Sequence, residues 1–573
     1  MLTTIVCCAI SLAITQPVSD TILPAIYDIV IHEVMAKPSP VKGLPAVEYI
    51  ELYNRNAATV LLKNCILAVN KREVILPNIA LPPAGILLLC NSAATDSFVA
   101  PLIAGIDKWP PIPDDTGLIA LYSSNRKVLH AVNYNKSWYG RADRANGGFS
   151  LEMINAAIPC AGKSNWCAST AVAGGTPGMA NAASSDWDDK QLPDLLYAGI
   201  VDKNNLSLTF AQSIDSSLAA DVGNFKLIDK STGIPLQPAA VRVMPPLLNT
   251  IQLQLAQPLE NGHGYTVLVA GIRNCQGRES IVYRSLETGW PELPGIGGVM
   301  VSEILFHPVS TYPSFIEIVN RTATMVDLKS LRLQNVRADG RLDAAKAVSA
   351  ESRLLAPGHC VALTTDQQRL CSRYNCRDAS AFLETTLPTT YVGEGRLRLL
   401  RADSLLLDEV MYNENWHFPL LTDSEGASLE RITFEHPAIG QGDWQSTAGT
   451  YGYATPGWLP EQQMDSDALV FQNLTPVFTP ENIAGNNQAK CSYNLGNQQW
   501  VGNAWIYDVT GRPIRTLARN MLVSGNGFLT WDGYDEKKVL LPAGVYIFLF
   551  EIFNLKGRTR RWKQAVVMAR NLN

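Results

Sequence analysis

Six glutamates carry the most suggestive chemistry in this sequence of 573 residues. Glu33 and Glu51, and again Glu303 and Glu317, stand in closely similar local sequences. Paired carboxylates can divide general acid and base work between them, and they can hold calcium. Glu152 and Glu430 each follow a Ser-Leu pair and can accept hydrogen bonds from turn amides, a structural use that needs no ligand. A recurring residue can equally be recurring architecture. The expectation for all six is therefore a structural role, with weak calcium binding as the alternative and no other cofactor.

The other candidates are weaker. Residues 157–164 read A-x-x-x-x-G-K-S, which a permissive phosphate-loop pattern accepts; Pro159, however, removes an amide that a phosphate cradle needs, and Asn165-Trp166 leads into a β pattern. Seven histidines are scattered singly, with no H-E-x-x-H or H-x-H, and no serine sits in a G-x-S-x-G elbow. A Ser-His-Asp arrangement can still assemble from distant positions, since it is recognised by geometry. Near the C-terminus, Lys556, Arg558, Arg560, Arg561, Trp562 and Lys563 combine charge with an aromatic ring. Such a stretch protects an exposed strand edge, serves attachment, or grips an anionic polymer. Asp186, Asp188 and Asp189 lack the ligand spacing and glycine of an EF-hand and read as a solvated linker.

Two copies of one domain must position the glutamates. Val30-Ile31-His32-Glu33-Val34 matches Met300-Val301-Ser302-Glu303-Ile304, and Tyr49-Ile50-Glu51-Leu52-Tyr53-Asn54-Arg55 matches Phe315-Ile316-Glu317-Ile318-Val319-Asn320-Arg321. Ser150-Leu151-Glu152, Trp166 and Thr176-Pro177-Gly178 return as Ser428-Leu429-Glu430, Trp444 and Thr455-Pro456-Gly457. In the second copy Gln441 and Gly442 replace Lys163 and Ser164, which takes the phosphate-loop match out of the shared frame. Alternation sets Ile50 and Leu52 on one strand face and Tyr49, Glu51 and Tyr53 on the other, and Asn54 and Asn320 end their strands. Short apolar runs separated by Pro-Gly or Asn-rich turns follow, as in a β sandwich.

On these motifs both copies resemble the lamin tail domain, an immunoglobulin-like β sandwich found as an accessory module in many bacterial exported proteins. Residues 194–288, with Leu206-Ser207-Leu208-Thr209-Phe210 and Asn224-Phe225-Lys226-Leu227, are similar to bacterial immunoglobulin-like domains. Trp531-Asp532-Gly533 and Leu541-Pro542-Ala543-Gly544-Val545-Tyr546 resemble the immunoglobulin-like domain of flagellar hook-cap proteins and C-terminal domains of secreted Bacteroidetes proteins, some of which serve as sorting signals. In Leu-x-x-Gly-x-Tyr the glycine suits a tight turn and the Tyr546 phenol a bond back to nearby backbone, as in a tyrosine corner. Lamin-tail-like domains also accompany secreted hydrolases and nucleases.

Composition agrees with an ordered, turn-rich chain: 47% hydrophobic and 17% charged residues, with 41 Gly and 34 Pro. A net charge of -5 supplies no basic field for nucleic acid or anionic membrane. Residues 2–14 are apolar and uncharged, long enough for the core of a signal peptide and too short for a membrane span. Export permits disulfides. The candidate pairs are Cys160 with Cys167, Cys371 with Cys376, and Cys65 with Cys90, leaving Cys275, Cys360 and Cys491.

The expected protein is all-β: a signal peptide (residues 1–19), a lamin-tail-like domain (28–185), a bacterial immunoglobulin-like domain (190–288), a second lamin-tail-like domain (297–460) and a C-terminal immunoglobulin-like domain (468–571). The four tandem immunoglobulin-like β sandwiches imply an exported, non-catalytic structural or adhesive protein at the cell surface or outside the cell. Its partner would be a protein or surface polysaccharide. The alternatives are a secreted hydrolase or nuclease, for which four sandwiches leave no room for a separate catalytic domain, and a DNA- or polysaccharide-binding module.

Overall fold

The computed structural model describes residues 21–188, 192–216, 221–280, 284–421, 423–459, 469–481, 486–496, 499–523 and 525–570. The expected signal peptide lies outside the described residues, as does Asp189.

Both repeated copies fold as two-sheet sandwiches with one strand order. In the first, a six-stranded sheet runs Trp166–Ala168, Leu151–Met153, Ile29–Met35, Tyr49–Asn54, Ile86–Asn91, Ile103–Ile106; a four-stranded sheet runs Val128–Asn135, Thr116–Tyr122, Ile66–Val69, Arg72–Ile75. The second repeats this as Trp444–Ser446, Leu429–Arg431, Val299–Leu305, Phe315–Asn320, Cys360–Thr364, Phe382–Glu384, over Leu406–Asn413, Glu394–Arg401, Leu331–Val336, Lys346–Ala347. Period-two alternation builds the cores. Ile50, Leu52, Leu87 and Leu89 meet Leu67, Val69, Ile119 and Leu121 in one copy, and Ile316, Ile318, Val361 and Leu363 meet Leu333, Leu397 and Leu399 in the other. Trp166 and Trp444 are buried in these cores.

A β-bulge falls at the same place in both large sheets, between Ile31 and Glu33 and between Val301 and Glu303. An extra residue on one strand re-aims the side chains that follow it. Here it sets Glu33 opposite both Glu51 and Glu152, and Glu303 opposite both Glu317 and Glu430.

The immunoglobulin-like domain between the copies has its own two sheets. Leu195–Asp202, Asn205–Phe210, Thr250–Leu255 and Pro238–Met244 face Pro235–Leu236, Phe225–Asp229, Gly264–Val269 and Arg284–Gly289. The last domain pairs Val470–Asn473, Ala489–Asn494 and Asn526–Trp531 in one sheet. Its other sheet is Val477–Phe478, Thr559–Met568, Gly544–Phe553, Trp500–Asp508 and Pro513–Val523. The chain is thus an all-β protein of four tandem immunoglobulin-like sandwiches, and among the described residues no helix is long and apolar enough to cross a membrane.

In the last domain the Tyr546 hydroxyl donates to the Pro542 carbonyl at 2.8 Å, and the ring meets Trp531 edge-on. The strand Thr559–Met568 pairs along its length with Gly544–Phe553 but with Val477–Phe478 only at Val567 and Met568. Among the described residues Arg560, Arg561 and Lys563 therefore stand on an edge that no further strand pairs with, with Arg561 paired to Glu551.

Two disulfide expectations are corrected by the structure. Cys160 bonds Cys275 of the immunoglobulin-like domain, Cα to Cα 5.8 Å, and not Cys167. Cys167 lies on the strand Trp166–Ala168, where alternation turns it away from the core side of Trp166 and Ala168, while Cys160 faces the next domain, its carbonyl accepting from the Ser213 amide at 3.1 Å. Cys65 and Cys90 are both free and buried. Cys65 joins the inter-sheet core, whereas Leu88 and Cys90 point to the opposite face of the six-stranded sheet, so that sheet separates the two thiols. Cys371 and Cys376 are bonded, Cα to Cα 5.4 Å.

The linker acid Asp188 is also engaged, its carboxylate accepting from Arg278 at 2.6 Å, where the sequence suggested solvation alone. At the other junction Phe418, Val501 and Leu522 form a shared apolar cluster, and the Gln499 amide donates to the Ser446 carbonyl at 2.8 Å. Replacing Cys160 or Cys275 by Ser is expected to cost about 2–4 kcal/mol, because the bond closes a long loop. Denaturant unfolding of each variant checks this, and non-reducing peptide mapping should join Cys160 to Cys275.

Candidate functional site: two sealed carboxyl clusters

The three glutamates of each copy meet on the outer face of the six-stranded sheet, beneath the segment that carries Thr-Pro-Gly. That segment supplies most of the donors. Glu33 Oε1 accepts from the Tyr49 hydroxyl (2.7 Å), the Ser150 hydroxyl (2.6 Å) and the Thr176 amide (2.9 Å). Glu51 Oε1 accepts from the Gly178 amide, and Glu152 Oε2 from the Ala183 amide at 2.7 Å. In the second copy Glu303 Oε1 accepts from the Ser428 hydroxyl and from the Thr455 amide at 2.9 Å. Glu317 accepts from the Gly457 amide and the Ser302 hydroxyl, each at 2.8 Å. Gly178 and Gly457 hold φ of +78° and +81°, the left-handed conformation that a β-carbon disfavours, and so aim their amides down at the sheet.

Each threonine hydroxyl lies between two carboxyls. Thr176 Oγ1 lies 3.0 Å from Glu33 Oε2 and 3.1 Å from Glu152 Oε1; Thr455 Oγ1 lies 2.7 Å from Glu303 Oε2 and 2.9 Å from Glu430 Oε1. A hydroxyl has one proton to donate. Both contacts are met by separate protons when one carboxyl of each pair is protonated and donates to the threonine. Glu33 and Glu303 fit this part, since three donors crowd Oε1 of Glu33 and leave Oε2 for the proton. Burial pushes Glu33 and Glu51 up to about 8, with the neighbouring Glu51 charge adding to the effect on Glu33. Burial likewise raises Glu317 to about 7, raises Glu430, and, with the Glu430 and Glu317 charges, lifts Glu303 well above the usual range.

This arrangement latches the chain onto itself. All six carboxyls are buried, and each accepts from donors of its own domain; Glu51 Oε2 alone among their oxygens has no hydrogen-bond partner. Among the described residues no three His, Cys, Asp or Glu side chains are grouped so as to hold a metal ion. His32 stacks on Tyr53 and lies 4.0 Å from Glu51, and burial lowers it to about 4. Sequence reasoning found the glutamates and the Thr-Pro-Gly motif separately. It missed that Ser150, Thr176 and Gly178 are their partners, although the joint recurrence of all these polar residues was the available signal.

One Ser-His-Asp constellation does assemble, and its geometry is wrong for nucleophilic catalysis. His263 Nδ1 contacts Asp229 Oδ2 at 2.9 Å, but Ser231 Oγ donates to Asp229 Oδ1 at 2.5 Å and sits 3.4 Å from the same Nδ1. A triad needs serine and aspartate on opposite ring nitrogens; here Nε2 faces Glu260 at 3.5 Å. Lys163, the lysine of the phosphate-loop match, instead pairs with Glu384 (2.8 Å) and Asp366 (3.8 Å) of the second copy. An open cleft of about 840 Å³ lies on the first copy, lined by Arg72–Ile75 and by Gly105, Asp107, Lys108 and Trp109.

No protein-family model and no curated protein matches the chain. Solved structures align only distantly. Domains 1–6 of the surface-layer protein SbsC align at 11% identity over 67% of this chain and 55% of that one, with a TM-score of 0.17. Latent PorU from Porphyromonas gingivalis aligns at 12% over 66% and 34%, TM-score 0.15. A calcium-stabilised adhesin with which an Antarctic bacterium binds ice aligns at 8% over 96% and 100%, TM-score 0.12. This chain spans about half the length of the surface-layer chains it matches, 44% and 55% of them. Scores of this size carry no functional argument, and the fold class stands on the chain's own strands.

Proposed function

We propose that the chain is an exported, non-catalytic structural or adhesive protein that presents binding surfaces on β sandwiches at the cell surface or outside the cell. The two copies are read as lamin-tail-like modules and the last domain as a hook-cap-like or sorting-type module. The observation that carries this reading is the fate of the recurring carboxyls: the one chemistry shared by both copies is sealed from solvent and engaged by the chain's own donors. Two disulfides, one of them between domains, fit an oxidising compartment. A protein or surface polysaccharide would meet the end loops or the open strand edges. Fractionation of the producing cell with mass spectrometry of the mature ends tests the reading. Processed protein outside the cytoplasm is expected, and unprocessed cytoplasmic protein would overturn it.

A further inference from the structure

Three arginines of the second copy follow one another at a fixed interval, and each lies against an aromatic ring. Arg369, Arg373 and Arg377 recur every four residues, the spacing that aligns side chains on one face of a helix. The first two belong to the helix Gln367–Arg373, and the third stands just past its end, where the Cys371–Cys376 disulfide closes the turn. The Arg369 and Arg373 guanidinium groups lie 5.9 Å and 5.8 Å from the centre of the Tyr312 ring, and Arg377 stacks on Trp458 at 3.4 Å. The rings are themselves held. The Trp458 indole donates to the Asn375 carbonyl inside the disulfide loop at 3.2 Å and meets Tyr451 edge-on. A guanidinium stacked on a ring keeps its N–H donors in its own plane, where they remain able to bond an anion.

The acids near this strip are engaged elsewhere. Asp366 caps the helix by accepting from the Arg369 amide at 3.1 Å and, with Glu384, faces Lys163. Asp378 accepts from the Ser380 amide at 2.8 Å and hydroxyl at 2.7 Å, and Glu425 accepts from the Ser310 amide at 3.0 Å. Among the described residues no carboxylate forms an ion pair with Arg369, Arg373 or Arg377, although the last two are exposed. The first copy has no such strip. Its matching segment, Ser92–Ser97, holds no basic residue, and Met179 follows Thr176-Pro177-Gly178 where Trp458 follows Thr455-Pro456-Gly457.

We propose that Arg369, Arg373 and Arg377 bind an acidic polysaccharide through its carboxylate groups, an inference that rests on the reading of the chain as a surface or extracellular protein. Arginine presents a flat fork that meets a carboxylate with two parallel bonds. Arginines four residues apart on a helix are separated by about 6 Å along its axis, so a polymer with a carboxylate on each sugar can meet them in series. Nucleic acid fits less well. Its dense charge draws on a wide basic field, which a chain of net charge -5 does not supply.

Affinity electrophoresis of the intact chain tests this, in gels cast with polygalacturonate, with dextran as a neutral polysaccharide, or with single-stranded DNA. Polygalacturonate should retard the parent, less so as salt rises, and dextran should not. Arg369→Gln, Arg373→Gln and Arg377→Gln together should weaken the affinity by at least about tenfold. Arg560→Gln with Lys563→Gln, on the basic C-terminal stretch, should leave it unchanged. Circular dichroism confirms that both variants are folded. No retardation by polygalacturonate, equal retardation by dextran, a triple variant that binds like the parent, loss of binding in the C-terminal variant, or stronger retardation by DNA would each overturn the proposal. Purified protein reads the site and cell fractionation reads the location. A protein found outside the cell that passes polygalacturonate unretarded therefore overturns the site alone.

Discussion

Glu33→Gln is expected to keep the first copy folded at neutral pH and to weaken the pH dependence of its stability, whereas Glu33→Ala is expected to cost on the order of 5 kcal/mol. In the alanine variant the Tyr49 and Ser150 hydroxyls and the Thr176 amide lose their common buried acceptor. Glutamine preserves that acceptor and places an amide N–H where the protonated carboxyl donates to Thr176 Oγ1. It mimics the neutral acid and not the carboxylate. The folded protein holds protons on Glu33 and Glu51 up to about pH 8, while the unfolded chain releases them above about 4.5. The unfolded state thus binds fewer protons between those limits, and stability falls as pH rises. The contribution is complete below about pH 4.5 and is lost as pH passes about 8. Thermal melts from acid to mild alkali should show this decline in the parent and a shallower one in Glu33→Gln. An equal decline in both would place the proton elsewhere.

The strands and the positions of the glutamates were legible because both rest on local pattern. Alternation around Ile50 and Leu52 needs only neighbouring residues, and recurrence picks out Glu33, Glu51 and Glu152 without any geometry. Their assembly was not legible, because it depends on a bulge at His32 and on closure of residues 169–185 over three strands distant in sequence. Cysteine pairing divides the same way. Cys371, within the short helix Gln367–Arg373, bonds Cys376 just past its end, whereas Cys160 finds a partner 115 residues away in another domain. Local spacing favoured Cys167, and the direction each side chain takes decided against it. The copy-specific Lys163 and Cys160 both hold domains together, so the difference between the copies is spent on internal contacts as well as free surface.

Arg431→Met is expected to cost about 3–5 kcal/mol, and Asp408→His in the same chain to restore much of the loss. The two copies solve one problem in two ways. The bulge leaves the amide of Ile31 or Val301 in need of an acceptor. In the first copy it donates to His130 Nδ1 at 3.0 Å, and His130 Nε2 faces the Pro159 carbonyl at 3.3 Å, so the ring carries its proton on Nε2 and is neutral. Burial lowers it to about 4, in keeping with that state. In the second copy the Val301 amide donates to Asp408 Oδ2 at 2.9 Å, and the fully buried Arg431 guanidinium donates to the same oxygen at 2.7 Å and to the Thr433 carbonyl at 2.8 Å. Register places Met153 where Arg431 stands, opposite Trp166 and Trp444. A buried carboxylate needs its cation, and a neutral imidazole needs none. His130→Asp alone should therefore destabilise the first copy, and Met153→Arg should rescue it in part. Urea unfolding of the four single and two double variants gives a coupling energy for each copy. A loss below about 1 kcal/mol for Arg431→Met would show that the ion pair contributes little to holding the second sandwich together.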